Sequence, residues 1–567
     1  MTRVWVWMAM ATLSVLDPVS GLSLPSSSDR SGLRADAIAA VANQIVDTKR
    51  TYPINGTVYP WYDGPVAAPG SLTQQIQYQE FVKLASFTTP QAKELASLLA
   101  NSSSTTNLTS MDAIADLYNG AAPIIAKPMA MDNSDETFGQ QRLTIKSMAI
   151  RLAKLEDIKG KPFALSDSQL TDKCGAGINR LTMWTSNRVF VEDFSNVAQW
   201  DDAANPNKYT PNVVGFFCYN AVTEKLLPIE IRFPDTNLAY TPYDTKDEWT
   251  LAKMGLEAAS IQFHQIQHMA ETHAVTIPIR VEMMRHMSAE HPIRALLFHH
   301  VYIDFSLEML VASRLLNTST GLDQTLAWGA SGSVRFIQHQ TQTVVSLQND
   351  FLTDVRKRGL NYLPNQKFVR YGTLYWLTIG RFVSDFVNTY YATDADVQAD
   401  FELQNWAMGC TGVSHLHDFP ASFTSREQVR ELLTHLIFLS TVRHHAMNGV
   451  VTWHSMAVPY SPAALWKALP RTKGETVNLL EYTLPVRLIP VSLDLGALFF
   501  RPPPASESLT SAYKTTPFSD EPLLQSAVDT FHTSLGAIDS LIVTTEKSEK
   551  WPYEILRPGN LAHYTWV

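Results

Sequence analysis

Two pairs of candidate metal ligands, each spaced four residues apart, constrain this chain more than any other feature. His264 and His268 form the first pair, and His444 and Asn448 form the second. Each residue of an α-helix turns about 100°, so side chains four residues apart lie only about 40° apart on one face. Imidazole nitrogens and an amide oxygen suit iron or manganese better than calcium or magnesium. The missing anion can come from the α-carboxylate of Val567, so we predict one metal ion held by two helices and the chain end.

Distinctive short sequence motifs surround both pairs of candidate ligands. They are W-T-L-A-K from Trp249, F-H-Q-I-Q-H-M-A-E-T-H-A from Phe263, H-P-I-R-A-L-L from His291, G-L-D-Q from Gly321, R-H-H-A-M-N from Arg443 and P-Y-E-I-L-R-P from Pro552. Similar words occur in the same order, and at similar separations, in the lipoxygenases. The chain therefore resembles the lipoxygenase family over roughly residues 185–567.

The resemblance places the family's metal ligands on particular residues of this chain. They fall on His264, His268, His444, Asn448 and the terminal carboxylate of Val567. The third histidine of the family's first ligand helix falls on His273, where either a hydrogen bond that orients a ligand or a purely structural role fits.

One departure from the family pattern bears on the metal. Most lipoxygenases place four residues between the first two histidines, whereas three separate His264 from His268. Residues five apart diverge by about 140° on a regular α-helix and need a π-type insertion to converge, while residues four apart do not. The shorter spacing and the terminal valine resemble secreted fungal manganese lipoxygenases. We expect one manganese ion per chain, with iron as the alternative, because the two divalent ions are neighbours in affinity order.

The resemblance also implies the chemistry. The expected substrates are O2 and a polyunsaturated fatty acid such as linoleate or linolenate. A metal-bound hydroxide would take the bis-allylic hydrogen and O2 would add to the carbon radical, giving a lipid hydroperoxide; no side chain is assigned as a base. Val311 or Ala312 aligns with the position that biases stereochemistry in related enzymes. Arg487 or Arg501 could meet the substrate carboxylate, although most arginines lie at the surface.

Two other classes of function remain open. A secreted relative that binds metal or lipid without turnover would keep the same ligands. A zinc hydrolase would normally carry a carboxylate as general base beside its ligands, as in the motif H-E-x-x-H. Because Gln265 follows His264, the sequence disfavours that second reading.

The expected fold is mainly α, a large helical lipoxygenase-type catalytic domain over residues 22–567 with small β elements. The ligand helices are predicted near residues 250–275 and 426–450, the second starting at a capping pattern of Ser425 and Gln428. V-F-V-E-D-F and L-L-P-I-E-I-R-F, between residues 185 and 240, are typical of strands. Apolar spacing in Q-R-L-T-I-K-S-M-A-I-R-L-A-K-L, from Gln141, predicts a further helix. Nothing resembles the N-terminal β-sandwich (PLAT) domain of plant and animal lipoxygenases.

Composition fits a large monomeric enzyme. The 567 residues are 45% hydrophobic and carry a net charge of −9, which argues against nucleic acid as a partner. No segment after the leader has the continuous apolar length that a membrane span requires.

The beginning of the chain predicts an extracellular protein. One arginine precedes a short apolar run and then Ser20 and Gly21, which is typical of a signal peptide over residues 1–21. Glycan acceptor triplets begin at Asn55, Asn101, Asn107 and Asn317. Three cysteines allow at most one internal disulfide and leave one thiol.

Overall fold

Helices form most of the computed structural model, which describes residues 21–45, 48–54, 57–64, 70–86, 110–118, 131–311, 315–448, 459–489, 491–492, 495 and 503–566. The predicted signal peptide up to residue 20, the sequons at Asn55, Asn101 and Asn107, the pocket candidates Ala312 and Arg501, and the terminal Val567 all lie outside these ranges. No helix among the described residues is both long and apolar enough to cross a membrane.

Eighteen helices in the described ranges are labelled in chain order. They are α1 Leu33–Ala42, α2 72–86, α3 Met111–Tyr118, α4 Asp135–Leu143, α5 Asp167–Cys174, α6 Lys246–His268, α7 Ala274–His286, α8 Pro292–His300, α9 Asp304–Leu310, α10 Gly321–Thr325, α11 Gly329–Thr343, α12 Phe351–Lys357, α13 Lys367–Tyr390, α14 Asp394–Ala399, α15 Phe401–Thr411, α16 Arg426–Phe438, α17 His444–Asn448 and α18 Gln525–Glu546.

The β structure is small, as expected. β1 (Thr48–Ile54) and β2 (Thr57–Gly64) form an antiparallel pair. A five-stranded antiparallel sheet has the sequential order β3 (Arg151–Leu152), β4 (Val189–Phe194), β5 (Val213–Asn220), β6 (Lys225–Phe233) and β7 (Leu238–Tyr240). The described residues contain no β-sandwich, so the prediction of a mainly helical fold without one is confirmed.

The sheet packs directly on the first predicted ligand helix. Every residue of β5 is buried, and a Cβ at Gly215 would come within 2.4 Å of the Leu256 side chain on α6. The missing side chain therefore allows strand and helix to approach closely. α6 is itself buried along almost its whole length, with the side chain of Thr245 accepting from the Glu248 backbone N–H at its start. The helix is a core element rather than an amphipathic surface helix.

The sequence predicted most elements near the site correctly, with one clear error. Both predicted strands form, and Ser425 caps α16 by accepting a hydrogen bond from the Gln428 backbone N–H. The helix predicted from Gln141 ends at Leu143 instead, and residues 144–150 are not helical. Within this segment Lys146 lies in the interior against Glu257 of α6. The apolar residues do have helical spacing. The segment is nevertheless not helical, because Lys146 pairs with Glu257 and the Met148 backbone N–H bonds to His264, both on α6.

The cysteines agree with the prediction of at most one disulfide. Cys174 at the end of α5 is bonded to Cys218 on β5, and Cys410 on α15 is a buried free thiol. The bridge closes a loop across 44 residues of sequence. Such a loop restricts the unfolded chain and typically stabilises the folded state by about 2–4 kcal/mol.

We predict one reactive thiol per chain in protein denatured without reductant, and three after reduction. Cys410 accounts for the first, and Cys174 and Cys218 for the other two. Quantification with a thiol reagent checks this. Replacing Cys174 by Ala should lower the free energy of unfolding by about 2–4 kcal/mol, whereas Cys410→Ser should leave the bridge intact. Three thiols before reduction would contradict the disulfide.

Candidate metal centre

A π-helical turn interrupts the first ligand helix. α6 ends at His268, residues Met269–His273 form the π turn, and α7 continues from Ala274. The backbone hydrogen bonds of a π turn join residues five apart rather than four, so residues five apart come toward the same side of the helix. His268 and His273 are such a pair.

A second π turn interrupts the other ligand helix. α16 runs to Phe438, Leu439–Arg443 form the π turn, and α17 carries the remaining predicted ligands. In this turn the Ser440 hydroxyl donates to the Leu436 carbonyl at 3.0 Å, and the Thr441 hydroxyl to the Ile437 carbonyl at 2.6 Å. In the first turn the Thr272 hydroxyl donates to the His268 carbonyl. These hydroxyls donate to carbonyl groups at the points where the backbone hydrogen bonds change from α-helical to π-helical spacing.

An ion pair joins the two π turns. The Arg443 guanidinium donates from Nε to Glu271 at 2.7 Å, and its Nη2 lies 2.6 Å from the same carboxylate. Asp354 on α12 lies 3.4 Å from the other terminal nitrogen. These carboxylates raise the pKa of Arg443 despite its burial, so the guanidinium stays charged. The pair fixes the two interrupted helices relative to each other.

Three histidine rings converge between the interrupted helices. One ring nitrogen from each of His268, His273 and His444 lies within 4.8 Å of the others. The Nε2 atoms of His273 and His444 are 3.1 Å apart. Two nitrogens bound about 90° apart, at the metal–imidazole distance of about 2.1 Å known for zinc, would be about 3.0 Å from each other. The observed separation therefore matches one edge of a metal coordination shell.

The protonation of these rings also suits a metal. Burial lowers the pKa of His268 to about 4, and lowers the pKa values of His273 and His444 well below their usual range. All three rings are neutral at physiological pH. His268 donates from Nδ1 to the Gln265 carbonyl, so its Nε2 carries a free lone pair.

Asn448 lies one helical turn after His444, on the same face of α17. Asn448 is only 4% exposed, and no hydrogen-bond donor among the described residues reaches its Oδ1. Its Nδ2 lies 3.4 Å from the carbonyl oxygen of Trp566. Burying an amide oxygen without a hydrogen-bond donor costs free energy, but such an oxygen can serve as a metal ligand.

The C-terminal tail is held in place almost to its end. Each residue from 561 to 565 forms a hydrogen bond outside the tail: the Leu561 carbonyl with Leu509 N, Ala562 N with His445 Nε2, the His563 carbonyl with His300 Nδ1, the Tyr564 hydroxyl with Glu507, and the Thr565 hydroxyl with Asp304. Trp566 is 3% exposed. The last described residue of the tail, Trp566, therefore lies beside Asn448.

His264 lies outside the three-histidine cluster. Its Nδ1 donates to the Ser260 carbonyl at 2.7 Å, and its Nε2 accepts from the Met148 backbone N–H at 3.1 Å. Burial lowers the pKa of His264 to about 3, with a further contribution from Lys146. The neutral ring therefore has both nitrogens in hydrogen bonds with the protein. The spacing that pointed to His264 as a ligand gave no sign of the partner at Met148.

His273 is the site residue that the sequence reasoning left undecided. The structure places it in the cluster, facing His444, with no partner for its Nδ1 among the described residues. A usable signal was present in the sequence. Four residues separate His268 from His273, which is the spacing that requires a π turn.

The remaining candidates are not part of this cluster. Val311 is buried and Arg487 is exposed, with its guanidinium 5.7 Å from the centre of the Trp466 ring. Asn317, the one sequon within the described ranges, is partly exposed and its side chain accepts from the Thr318 backbone N–H. His445, to which no ligand role was given, uses both ring nitrogens in hydrogen bonds, to Thr441 and Ala562.

Comparison with known proteins supports a specific family. Residues 186–486 match the family model described as Lipoxygenase. The manganese lipoxygenase of Colletotrichum gloeosporioides is 28% identical over 426 residues, covering 72% of this chain and 69% of the relative. The manganese lipoxygenase of Gaeumannomyces tritici is also 28% identical, over 504 residues, covering 83% of this chain and 79% of the relative.

Solved structures share the fold. A structure titled Manganese Lipoxygenase superposes with a TM-score of 0.82 at 23% identity, covering 96% of this chain and all of the other. A calcium-dependent 11R-lipoxygenase gives a TM-score of 0.82 at 22% identity, covering 97% of this chain and 83% of the other. The family match spans more than half of the sequence and contains both predicted ligand helices. The chain belongs to the lipoxygenase family.

Proposed function

We propose that this chain is a dioxygenase for polyunsaturated fatty acids such as linoleate, and that it uses one manganese ion, with iron as the alternative. The observation that carries the proposal is the convergence of three neutral histidine rings, with the unpartnered amide oxygen of Asn448 one helical turn after His444. Nitrogen and oxygen donors of this kind suit manganese or iron. Similarity to manganese lipoxygenases supports the choice of manganese.

The proposed ligands are His268, His444, Asn448, the Val567 carboxylate and one further imidazole. Two residues compete for that last position. Spacing and family resemblance favour His264, whereas the ring positions favour His273. If His264 is the ligand, replacing His264 should abolish metal binding; if His273 is the ligand, replacing His273 should do so.

The bound metal would supply the one-electron redox chemistry that hydrogen removal from a pentadiene requires. The protein's own part is to hold neutral donors in place and exclude water. His268 is oriented by its hydrogen bond to Gln265, and Asn448 is oriented toward the carbonyl of Trp566. No side chain is needed as a general base.

Turnover is the direct test of the function. Purified metal-loaded protein with its native C-terminus should convert linoleate and O2 to a product with conjugated-diene absorbance, with matching O2 consumption. The same preparation should give no diene from oleate, which lacks the pentadiene. Metal-loaded protein that leaves linoleate unchanged would instead identify the chain as an inactive metal- or lipid-binding relative.

Metal analysis tests the ligands independently of turnover. We expect about one manganese or iron per chain, and at least about 100-fold weaker metal binding in His268→Ala and His444→Ala, because changes outside the ligand shell alone cost about 10–100-fold. Of His264→Ala and His273→Ala, only the variant that removes the fifth ligand should lose metal to the same extent. Mass spectrometry of bound metal measures this.

His435→Ala is the matched control, because His435 is buried on the same interrupted helix but packs against Trp376 rather than against the cluster or the tail. It should retain metal. Stoichiometric zinc would favour the hydrolase alternative. Full metal content in both His268→Ala and His444→Ala would remove the proposed centre.

A C-terminal extension tests the terminal carboxylate. Adding two glycines after Val567 should weaken metal binding, because it moves the terminal carboxylate two residues further along the chain. Trp566 is buried and bonded to Asn448, so the tail cannot easily shift to compensate. Val567→Ile keeps the carboxylate and should retain metal. Equal metal content and activity in the extended protein would show that the chain end is not a ligand.

Secretion is a separate proposal. The Cys174–Cys218 disulfide supports it, because such bonds persist mainly in oxidising compartments. Removal of residues 1–21 and glycan attachment at Asn317 would follow the same route. Expression in a eukaryotic host should yield protein in the medium that begins near Leu22 and loses mass on glycosidase treatment. Retention of Met1 in the secreted protein would contradict cleavage.

A further inference from the structure

Residues 144–150 link α4 to β3 and contact α6 without forming a helix. We call this segment the 144–150 strip. Its Met148 backbone N–H donates to Nε2 of His264 at 3.1 Å, and its Lys146 pairs with Glu257 earlier on the same helix. Buried backbone groups outside a helix or sheet need other hydrogen-bond partners. The position of the strip therefore bears directly on the imidazole of His264.

Arg358, at the C-terminal end of α12, binds the carbonyl groups of the strip. Its Nη1 donates to the Ser147 carbonyl at 2.6 Å and to the Ile150 carbonyl at 3.1 Å. Its own carbonyl accepts from the Leu152 backbone N–H at 2.8 Å. These three hydrogen bonds attach the strip and the start of the sheet to the end of α12.

Asp354 holds the Arg358 guanidinium in turn. It lies one helical turn earlier on α12, and its Oδ2 is 2.6 Å from Nη2 of Arg358. The same oxygen lies 3.4 Å from Nη1 of Arg443. Burial raises the pKa of Asp354, but the charges of the two arginines lower it overall, to about 2. The carboxylate is therefore charged at neutral pH and joins two arginines that reach different parts of the centre.

These contacts form a closed circuit with the ion pair between the π turns. Arg443 pairs with Glu271, which lies in the π turn directly after α6. The circuit runs, in order, through Glu271, Arg443, Asp354, Arg358, the strip and His264. Both of its ends lie on the first interrupted ligand helix. A shift of one ion pair is therefore passed on to both π turns and to the strip.

An ion pair between residues four apart on a helix is often only a local surface contact. Two features distinguish Asp354 and Arg358 from that case. Their side chains are only 11% and 13% exposed, and each has a further partner outside α12. Arg356 on the same helix shows the ordinary case, because it is exposed and donates to the nearby Thr353 hydroxyl.

We propose that Asp354 and Arg358 are positioning residues of the metal centre, which hold the 144–150 strip in a fixed relation to both π turns. The metal centre itself rests on the proposed function. The role is the same for either assignment of the fifth ligand. His264 is bonded to the strip, and His273 is the last residue of the π turn that contains Glu271.

Manganese binding by Arg358→Met is the first test. Methionine keeps an unbranched apolar side chain but removes the charge and the donors to the strip. We expect manganese affinity to fall by about 10–100-fold, the usual effect of residues that orient ligands from outside the ligand shell. The electron paramagnetic resonance spectrum of bound Mn²⁺ should also change, because the ligands are held in a different geometry. A purely structural role would lower the melting temperature and leave that spectrum as in the wild type.

Arg356→Met is the matched control, because it removes an arginine of the same helix that does not contact the strip. It should leave manganese affinity and the spectrum unchanged. Arg358→Lys keeps a charge beside Asp354 and should recover part of the affinity. Unchanged affinity and an unchanged spectrum in Arg358→Met would overturn the proposal.

A double-variant cycle tests the coupling through the circuit. Among the described residues, no hydrogen bond or ion pair joins Arg358 to Glu271 directly, so independent effects on affinity would multiply. If the circuit couples them, Arg358→Met combined with Glu271→Gln should lose less manganese affinity than the product of the two single losses. Losses that multiply would overturn the coupling.

Hydrogen–deuterium exchange of the metal-free full chain tests the strip without metal or turnover. Glu271→Gln and Arg358→Met should both speed exchange of the backbone amides of residues 144–150, whereas Arg356→Met should not. Exchange as slow as in the wild type in both variants would overturn the proposal. A wild-type chain that binds neither manganese nor iron would reject the proposed function, and the exchange result would still decide whether the circuit holds the strip.

Discussion

The ion pair between Arg443 and Glu271 is the interaction on which the geometry of the centre depends. Each residue belongs to a π turn, and each turn interrupts a helix that carries a histidine of the cluster. A π turn moves the following residues around the helix axis, so a small slip of one helix would separate His444 from His273. The guanidinium also contacts Asp354 of α12 and so ties both turns to a third element. Removing Arg443 would take this ion-pair partner from the largely buried Glu271 carboxylate, which is costly in a protein interior.

The C-terminal tail meets the centre under a similar constraint. A terminal carboxylate can be a ligand only if the last residues occupy one conformation, and a free chain end would lose considerable entropy on binding metal. Here residues 561–565 each form a hydrogen bond outside the tail, so the chain is already ordered up to the residues that precede the proposed ligand. One of these bonds comes from His300, which anchors the tail to α8.

The sequence predicted the fold class and the two ligand helices because both depend on local residue spacing and on motifs shared with a known family. It also predicted the capped start of α16 and the limit of one disulfide. It did not predict that residues 144–150 leave the helix, because that depends on where Lys146 and Met148 meet α6 in space. The geometric rule for five-residue spacing was sound, but it was applied to His264 and His268. The pair that has this spacing, and the π turn, is His268 and His273.

The choice between His264 and His273 can be framed as a balance of hydrogen bonds. For His264 to bind metal through Nε2, the Met148 N–H must lose its acceptor, and a buried unsatisfied donor costs about 1–3 kcal/mol. His273 gives up no such bond to a backbone group, and its Nε2 already lies 3.1 Å from that of His444. Coordination by His264 therefore requires residues 144–150 to move or to find a new acceptor, whereas coordination by His273 requires only the π turn that is already formed. Since His268 and His444 serve in either arrangement, this backbone segment next to α6 decides which imidazole completes the set.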